Sequence, residues 1–365
     1  MRFPVSIRSC GTPLIRDASP TAGEGSAGGS PIATVLLLPW WPEVAAKRSD
    51  EGRAALAKRS ALAIASTLIL ATPAFATEYP LTIENCGVTV TFDAPPERVV
   101  TIKSTATEML LALGLGDKIV GVGFQDGPVP DEWAPAAPLP VLADRVPSQE
   151  VVLEAAPDLV YGGWESSFAA DATGTRESLQ SLGVATYVAP TACRSQGTPD
   201  RLNFDDIFSQ ILEMGVIFDV EARATELVAE QRAMLDAIKP TSGLTGLWYS
   251  SATATPYVGA GLGGPQMTME ALGIANIFAD IEDTWASASW EAIVDADPDV
   301  IVLVDAAWNS RAQKIELLNS NPATANLNAV QNEHYLTIPF PAAEPGVRSV
   351  PALRDLADQL AELDF

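Results

Sequence analysis

Through residues 77–365, short apolar runs alternate with stretches whose apolar positions recur every three or four residues. Runs at 89–92, 99–102, 119–123, 159–161 and 186–188 predict strands in the first half. Runs at 246–249, 256–258, 276–279, 300–304 and 335–339 predict strands in the second, with helical periods such as 105–113 between them. That alternation is the mark of parallel α/β units. An internal echo supports two lobes of like construction. Glu150-Val-Val-Leu-Glu-Ala-Ala-Pro157-Asp158-Leu-Val aligns without a gap on Glu291-Ala-Ile-Val-Asp-Ala-Asp-Pro298-Asp299-Val-Ile, each a short helix, a Pro-Asp turn and a buried strand, with Ser148 and Ser289 just upstream. Between the halves Phe204, Ile207, Phe208, Ile211 and Leu212 form one helical stripe. After Asp219, an expected N-cap, Ala224, Leu227, Val228, Met234, Leu235 and Ile238 form a second. A helix over 220–238 spans about 29 Å at 1.5 Å per residue, enough to cross from lobe to lobe.

The first 76 residues follow neither period. Residues 1–52 are rich in Gly, Ser, Pro and Arg and are expected to be a disordered extension or the product of an upstream start codon. Residues 53–76 carry Arg53, Lys58 and Arg59, an apolar run over 61–71 and Ala74-Phe75-Ala76, the layout of an export signal cleaved before Thr77. The run falls well short of the roughly 20 apolar residues of a membrane span. The organisation expected downstream is an N-terminal lobe at 77–203, a helical linker at 204–239 and a C-terminal lobe at 240–365. Export would place the chain in the periplasm or on the outer face of the cytoplasmic membrane. There Cys86 and Cys193 can close a disulfide, the alternative being two buried thiols.

Charge narrows the function. Across 365 residues, 46 acidic side chains face 22 basic ones, a formal charge of −24, which disfavours nucleic acid and anionic lipid as partners. A single histidine, His334, and no Cys pair at ligand spacing leave little for a metal site. No G-x-S-x-G elbow is present, and His334, just before a strand in a polar turn, is expected at the surface or a strand edge without a catalytic partner. Gly259-Ala-Gly261-Leu-Gly263-Gly264 matches G-x-G-x-x-G and keeps open a secreted nucleotide-dependent enzyme. Pro265 follows at once and the unit opens no first βα crossover, so a loop that lets a bulky ligand approach explains the glycines equally well.

The opening Cys86-Gly87-Val-Thr-Val-Thr-Phe-Asp-Ala-Pro95-Pro96-Glu-Arg98, the two Glu…Pro-Asp repeats, the crossing helix and Gly346-Val-Arg348 together resemble the helical-backbone (class III) substrate-binding proteins of ABC importers for ferric siderophores, haem and cobalamin. The resemblance implies two Rossmann-like α/β lobes joined by one long helix, no catalysis and no cofactor, and a helical crossing, stiffer than strand or loop hinges, predicts little lobe movement. It also implies a small-molecule solute, an ABC permease with its ATPase as partner, and a monomer. Thr101-Ile-Lys103-Ser104-Thr, Asp126-Gly-Pro-Val-Pro-Asp131-Glu-Trp133, Tyr161-Gly-Gly-Trp164-Glu165-Ser, Trp248-Tyr249-Ser250-Ser251 and Val304-Asp305-Ala-Ala-Trp308-Asn309 resemble a narrower subgroup assigned to a deazaflavin-cofactor precursor. Such a precursor joins a tricyclic ring to an anionic tail. In the family, one acidic residue on each lobe docks on the permease; Glu150 and Glu291 hold the matching places here, against the alternative of solvated helix surface.

In open α/β sheets ligands lie beyond the carboxyl ends of the strands. The residues there are Lys103 and Ser104, Trp164, Arg194, Tyr249 and Ser250, Trp308 and Arg348. These are the candidate ligand-binding set. Arg348 would hold a carboxylate or phosphate in a bidentate fork, and Trp164 and Trp308 would offer flat faces to a conjugated ring, unless they pack in the core.

Overall fold

The structure is a computed structural model and describes residues 76–365. The expected extension and all but the last residue of the expected export signal lie outside the described residues.

The chain enters through an antiparallel hairpin, β1 (Leu81–Asn85) and β2 (Val88–Phe92). Cys86 and Gly87 turn it with φ of 49° and 73°, the paired positive values of a tight two-residue hairpin turn. Its alternation of buried and exposed residues identifies β1, which the apolar runs left out because its outward positions are polar. The first lobe follows with β3 (Val99–Ile102), α1 (Ser104–Ala112), β4 (Ile119–Gly123), β5 (Val141–Ala143), α2 (Gln149–Glu154), β6 (Leu159–Gly162), α3 (Arg176–Ser181) and β7 (Ala185–Val188). Its strands pair in parallel in the order β5-β4-β3-β6-β7, with Val99 opposite Leu159 and Ile119.

Two helices, α4 (Phe204–Ile217) and α5 (Glu221–Ala237), lead to the second lobe. Asn203 and Asp206 close a capping box on α4. Asp219 does not cap α5. The cap position falls on Val220, whose side chain has nothing to offer, and the Asp219 carboxylate accepts the amide of Thr77 instead. The crossing is direct. Arg223 near the start of α5 donates to the carbonyl of Ala112 in the first lobe, and Gln231 further along donates to that of Val347 in the second.

The second lobe comprises β8 (Leu244–Ser251), β9 (Tyr257–Gly259), α6 (Gly264–Leu272), β10 (Ile274–Asn276), β11 (Trp285–Ser287), α7 (Trp290–Ala296), β12 (Val300–Asp305), α8 (Arg311–Ser320), α9 (Asn328–Gln331), β13 (Tyr335–Pro339), α10 (Phe340–Ala343) and α11 (Ser349–Ala361). Strand order is β11-β9-β8-β12-β13, and β10 runs parallel to the first half of β8. The strand expected at 276–279 lies instead at Ile274–Asn276, and the Asn276 side chain takes the Phe278 amide and turns the chain. Leu244, Thr245 and Gly246 pair with β10, and Tyr249 and Ser251 pair with β9.

The echo has a structural cause. Ser148 and Ser289 cap α2 and α7 by accepting the amides of Val151 and Ala292. Asp158 accepts the amides of Glu97 and Arg98 at the entry to β3, and Asp299 accepts that of Thr245 in β8. In each lobe the same carboxylate therefore fixes the start of the central strand. His334 is not at the surface. It is 5% exposed, its two ring nitrogens lie 3.0 and 2.9 Å from the carbonyls of Asp299 and Asp364, and its ring packs on Phe365.

The lobes share a core. Met109, Leu110, Phe208, Ile211 and Leu227 pack in one cluster with Met267, Val347 and Val350 of the second lobe. No described helix is long and apolar enough to cross a membrane.

Candidate functional site

A cavity of about 1080 Å³ opens between the lobes. The first lobe contributes the turn after β6, with Gly163, Trp164, Glu165 and Ser166, and the segment from Pro190 to Asp206. The second contributes Ser250 and Ser251 from the end of β8, Tyr257 and Trp285 from the neighbouring short strands β9 and β11, Leu262 to Gly264, Trp308, Phe340 and Glu344. Six aromatic rings reach the wall: Trp164, Phe168, Tyr257, Trp285, Trp308 and Phe340. Tyr257 and Trp285 lie nearly parallel at 16°, and Trp308 stands edge-on to Phe340 with centroids 4.7 Å apart. Trp308 is 56% exposed, a large apolar surface turned to solvent.

The turn bearing Trp308 is held from beneath. Asn309 donates its amide to Ala306, closing the turn between β12 and α8. The fully buried Lys314 donates Nζ to the carbonyls of Val304 and Asn309 on either side. Burial lowers its pKa to about 8 against the opposing pull of Asp305.

Trp164 is fixed on another side. Lys103 Nζ lies 3.6 Å from the centroid of its ring, and Trp164 Nε1 donates to Glu344 of the other lobe at 2.7 Å. Lys103 itself is wholly buried, paired with Asp126 and enclosed by Phe124 and Phe340. Its φ of 80° and ψ of 149° lie in a region that side chains rarely enter, which aims the amine beneath Trp164 instead of into the cavity. Gly163 must be glycine, because a Cβ there would meet Thr105 Oγ1 at 2.4 Å and Lys103 Cβ at 2.8 Å. Burial lowers the Lys103 pKa and raises that of Asp126, each against the opposing pull of its partner.

Of the candidate ligand residues, Trp164, Arg194, Ser250 and Trp308 line the cavity. Lys103, Ser104, Tyr249 and Arg348 do not. Ser104 is buried, its Oγ accepting the Asp126 amide. Tyr249 is a core residue; its hydroxyl donates to Ala252 O, its ring meets Trp290 edge-on, and burial pushes its phenol up to about 12. Arg348 does form a bidentate fork, but with Glu108 of the first lobe, at 2.6 Å through both Nε and Nη2. Its Nη2 also donates to Pro128 O. Burial, opposed by Arg348, pushes Glu108 up to about 7.

The wall is consequently acidic. Arg194, which reaches across to Thr284 of the second lobe, is its one cation among the described residues, beside Glu165, Asp200, Asp206 and Glu344. Burial works against ionising Glu165, yet hydrogen bonds from Ser195 and the amides of Arg194 and Ser195 prevail and leave its pKa below the usual range. Burial raises that of Glu344. Glu344, Tyr257 and Trp285 escape a search of strand ends because they lie on a helix exit and at the starts of two three-residue strands, β9 and the edge strand β11. The one available signal was two aromatic residues within three-residue runs.

The glycine loop is no nucleotide cradle. The strand before it, β9, is antiparallel to both neighbours, so no parallel βα crossover exists there. Its glycines admit the protein's own chain: Cβ atoms at Gly259, Gly261 and Gly263 would meet Pro265, the carbonyl of Ala279 and Thr284 at 2.2, 2.0 and 2.7 Å. Cys86 and Cys193 form a disulfide, tying the first hairpin to the segment that carries Arg194. Glu150 and Glu291 are exposed, each the second residue of its Ser-capped helix. Among the described residues no group of three His, Cys, Asp or Glu side chains could hold a metal ion.

A family model described as periplasmic binding protein matches residues 99–342. The chain belongs to this family. Among relatives of this periplasmic binding protein, the cobalamin-binding protein of Halobacterium salinarum is 28% identical over 304 residues, covering 77% of this chain and 76% of that protein. An ABC transporter substrate-binding lipoprotein of Bacillus subtilis, YvrC, is 25% identical over 292 residues, covering 77% and 86%. Among solved structures, a periplasmic binding protein from Veillonella parvula matches with TM-score 0.68 at 27% identity, over 78% of this chain and 98% of that one. One titled as an ABC-type Fe3+-hydroxamate transport system, from Saccharomonospora viridis, matches with TM-score 0.65 at 29% identity, over 77% and 99%. The architecture is the class III fold, two α/β lobes joined by a long helix.

Proposed function

We propose that this periplasmic binding protein captures a bulky, ring-bearing solute of neutral or positive charge outside the cytoplasmic membrane and delivers it to an ABC permease. A corrinoid or a ferric hydroxamate fits that description. The observation that carries the ligand class is the wall of six aromatic rings with Arg194 as its one cation among the described residues. A volume near 1080 Å³ stands at the upper end of small-molecule sites, which run to about 1,000 Å³, and suits a macrocycle or a wrapped chelate. Trp164 and Trp308 supply flat faces from opposite lobes, while Arg194 and Ser250 supply polar contacts. A highly anionic ligand would meet Glu165, Asp200 and Asp206 with Arg194 alone among the described lining residues to offset them, because Lys103 and Arg348 are bound to Asp126 and Glu108 and do not line the cavity. Relatives named for cobalamin and Fe3+-hydroxamate support the same class.

The deazaflavin precursor is the second ligand reading. Its ring would suit the same walls, and its anionic tail would have to rest on Arg194. Isothermal titration of the purified protein with cyanocobalamin, a neutral ferric hydroxamate, a ferric catecholate, haem and the deazaflavin precursor decides between them. Submicromolar binding is expected for one of the first two. Tight binding confined to the anionic ligands or to the deazaflavin would overturn the proposed class.

A further inference from the structure

The segment leading into β1 is held at its first residues. Thr77 donates its backbone N–H to Asp219 Oδ1 at 2.7 Å. Its hydroxyl lies 2.6 Å from Glu221 Oε1 and 3.0 Å from the Val216 carbonyl. Two residues on, the Tyr79 hydroxyl donates to the Ile217 carbonyl at 2.9 Å. Asp219 stands in the left-handed region at φ 57°, and neither it nor Glu221 joins an ion pair among the described residues. Burial, followed by the charges of Asp219 and Glu221, pushes the Tyr79 phenol up to about 12. Two carboxylates thus converge on one residue, Asp219 at its nitrogen and Glu221 at its hydroxyl, and at that nitrogen a backbone amide supplies a single N–H and no charge. An α-ammonium at the same nitrogen would supply three donors and a positive charge. The sequence offers a way to make one, since Ala74-Phe75-Ala76 is a small-x-small cleavage signature that ends one residue earlier.

We propose that Thr77 is the processed N-terminus of the exported chain and that Asp219 and Glu221 form an acidic socket for its α-ammonium. In the processing step a signal-peptidase-type protease adds water across the Ala76–Thr77 peptide bond. The C–N bond breaks, Ala76 leaves with a carboxylate, and the Thr77 amine takes up a proton. A free α-amino group has a pKa of about 7.7–8.0, and two facing carboxylates move it upward, so the charge is present at neutral pH. The charged terminus ties β1 to the turn between α4 and α5.

The test has two parts. Intact-mass analysis and N-terminal sequencing of the chain exported by an actinobacterial or Gram-negative host should give Thr77 as the first residue; any other start overturns the processing site. A chain released from a fusion with Thr77 at its exact start is then compared with one carrying Gly-Ser-Ala before Thr77, each with and without D219N and E221Q. The Thr77-start chain should melt about 2–4 °C higher than the extended one, and either substitution should abolish that gap. Equal melting of the two chains, or the same loss from D219N and E221Q in both backgrounds, would overturn the socket.

Discussion

Lys314 is fully buried, yet its amine meets two carbonyls and no carboxylate. Its pKa falls from 10.5 to about 8, so the folded state releases this proton before the unfolded state does. Between pH 8 and 10.5 the unfolded chain binds more protons, and stability contributed at this site must rise with pH, by ~3 kcal/mol over the interval. Urea unfolding of wild type and Lys314→Met at pH 7.5 and 10 checks this. The stability difference between them should widen in favour of wild type at the higher pH, and a constant difference would refute it. The same residue scale marks the limit of what the sequence made legible. Lys103 and Arg348 stand where a ligand grip belongs, but each is engaged by an acidic side chain, Asp126 at 23 positions away and Glu108 at 240. A pattern of residue types along the chain names cations at strand ends; it does not reveal which of them fold onto a buried acid. Trp164, Arg194, Ser250 and Trp308 do line the cavity, because the segments that carry them end on it.

At the scale of elements, the echo was legible because it is made of local chemistry: a Ser cap, a short amphipathic helix and an aspartate that takes strand amides. Strands β5 and β11 were not, since three residues carry too little periodicity to register. The turn between β12 and α8 places Trp308 on the cavity wall, so under the proposed function removal of its ring should be felt at the ligand. Trp308→Ala is expected to weaken solute binding by about 2 kcal/mol, roughly 30-fold, in a titration that leaves the melting temperature nearly unchanged. The disulfide acts on a different element. It closes 107 residues between the first hairpin and the Arg194 segment. Chain entropy for a loop of that length corresponds to about 4–5 kcal/mol of stability. Reduction should therefore lower the urea midpoint markedly, and it should loosen binding too, because Cys193 adjoins Arg194. A reduced protein with an unchanged midpoint would show that the bridge constrains little.

Across the whole molecule, the two lobes do not behave as separate domains. Met267, Val347 and Val350 of the second lobe belong to the core of the first, α5 is bonded to both, and Glu108–Arg348 and Trp164–Glu344 join them across the gap. Unfolding should be one transition, with Trp fluorescence and far-ultraviolet dichroism giving coincident midpoints; two resolved steps would mean that the shared core contributes less than either lobe's own. Rigidity of this kind bears on delivery. If lobe positions change little on binding, the two Ser-capped helices α2 and α7 keep Glu150 and Glu291 at a fixed spacing, as two contacts with a two-fold permease require. Both side chains are exposed and outside the cavity lining, so charge reversal there should spare the solute. Glu150→Lys and Glu291→Lys are each expected to cut solute uptake by reconstituted transporter at least tenfold, with solute affinity and melting temperature unchanged. Full uptake by the double variant would show that these carboxylates are ordinary solvated surface, and the permease would then have to recognise other features of the lobes.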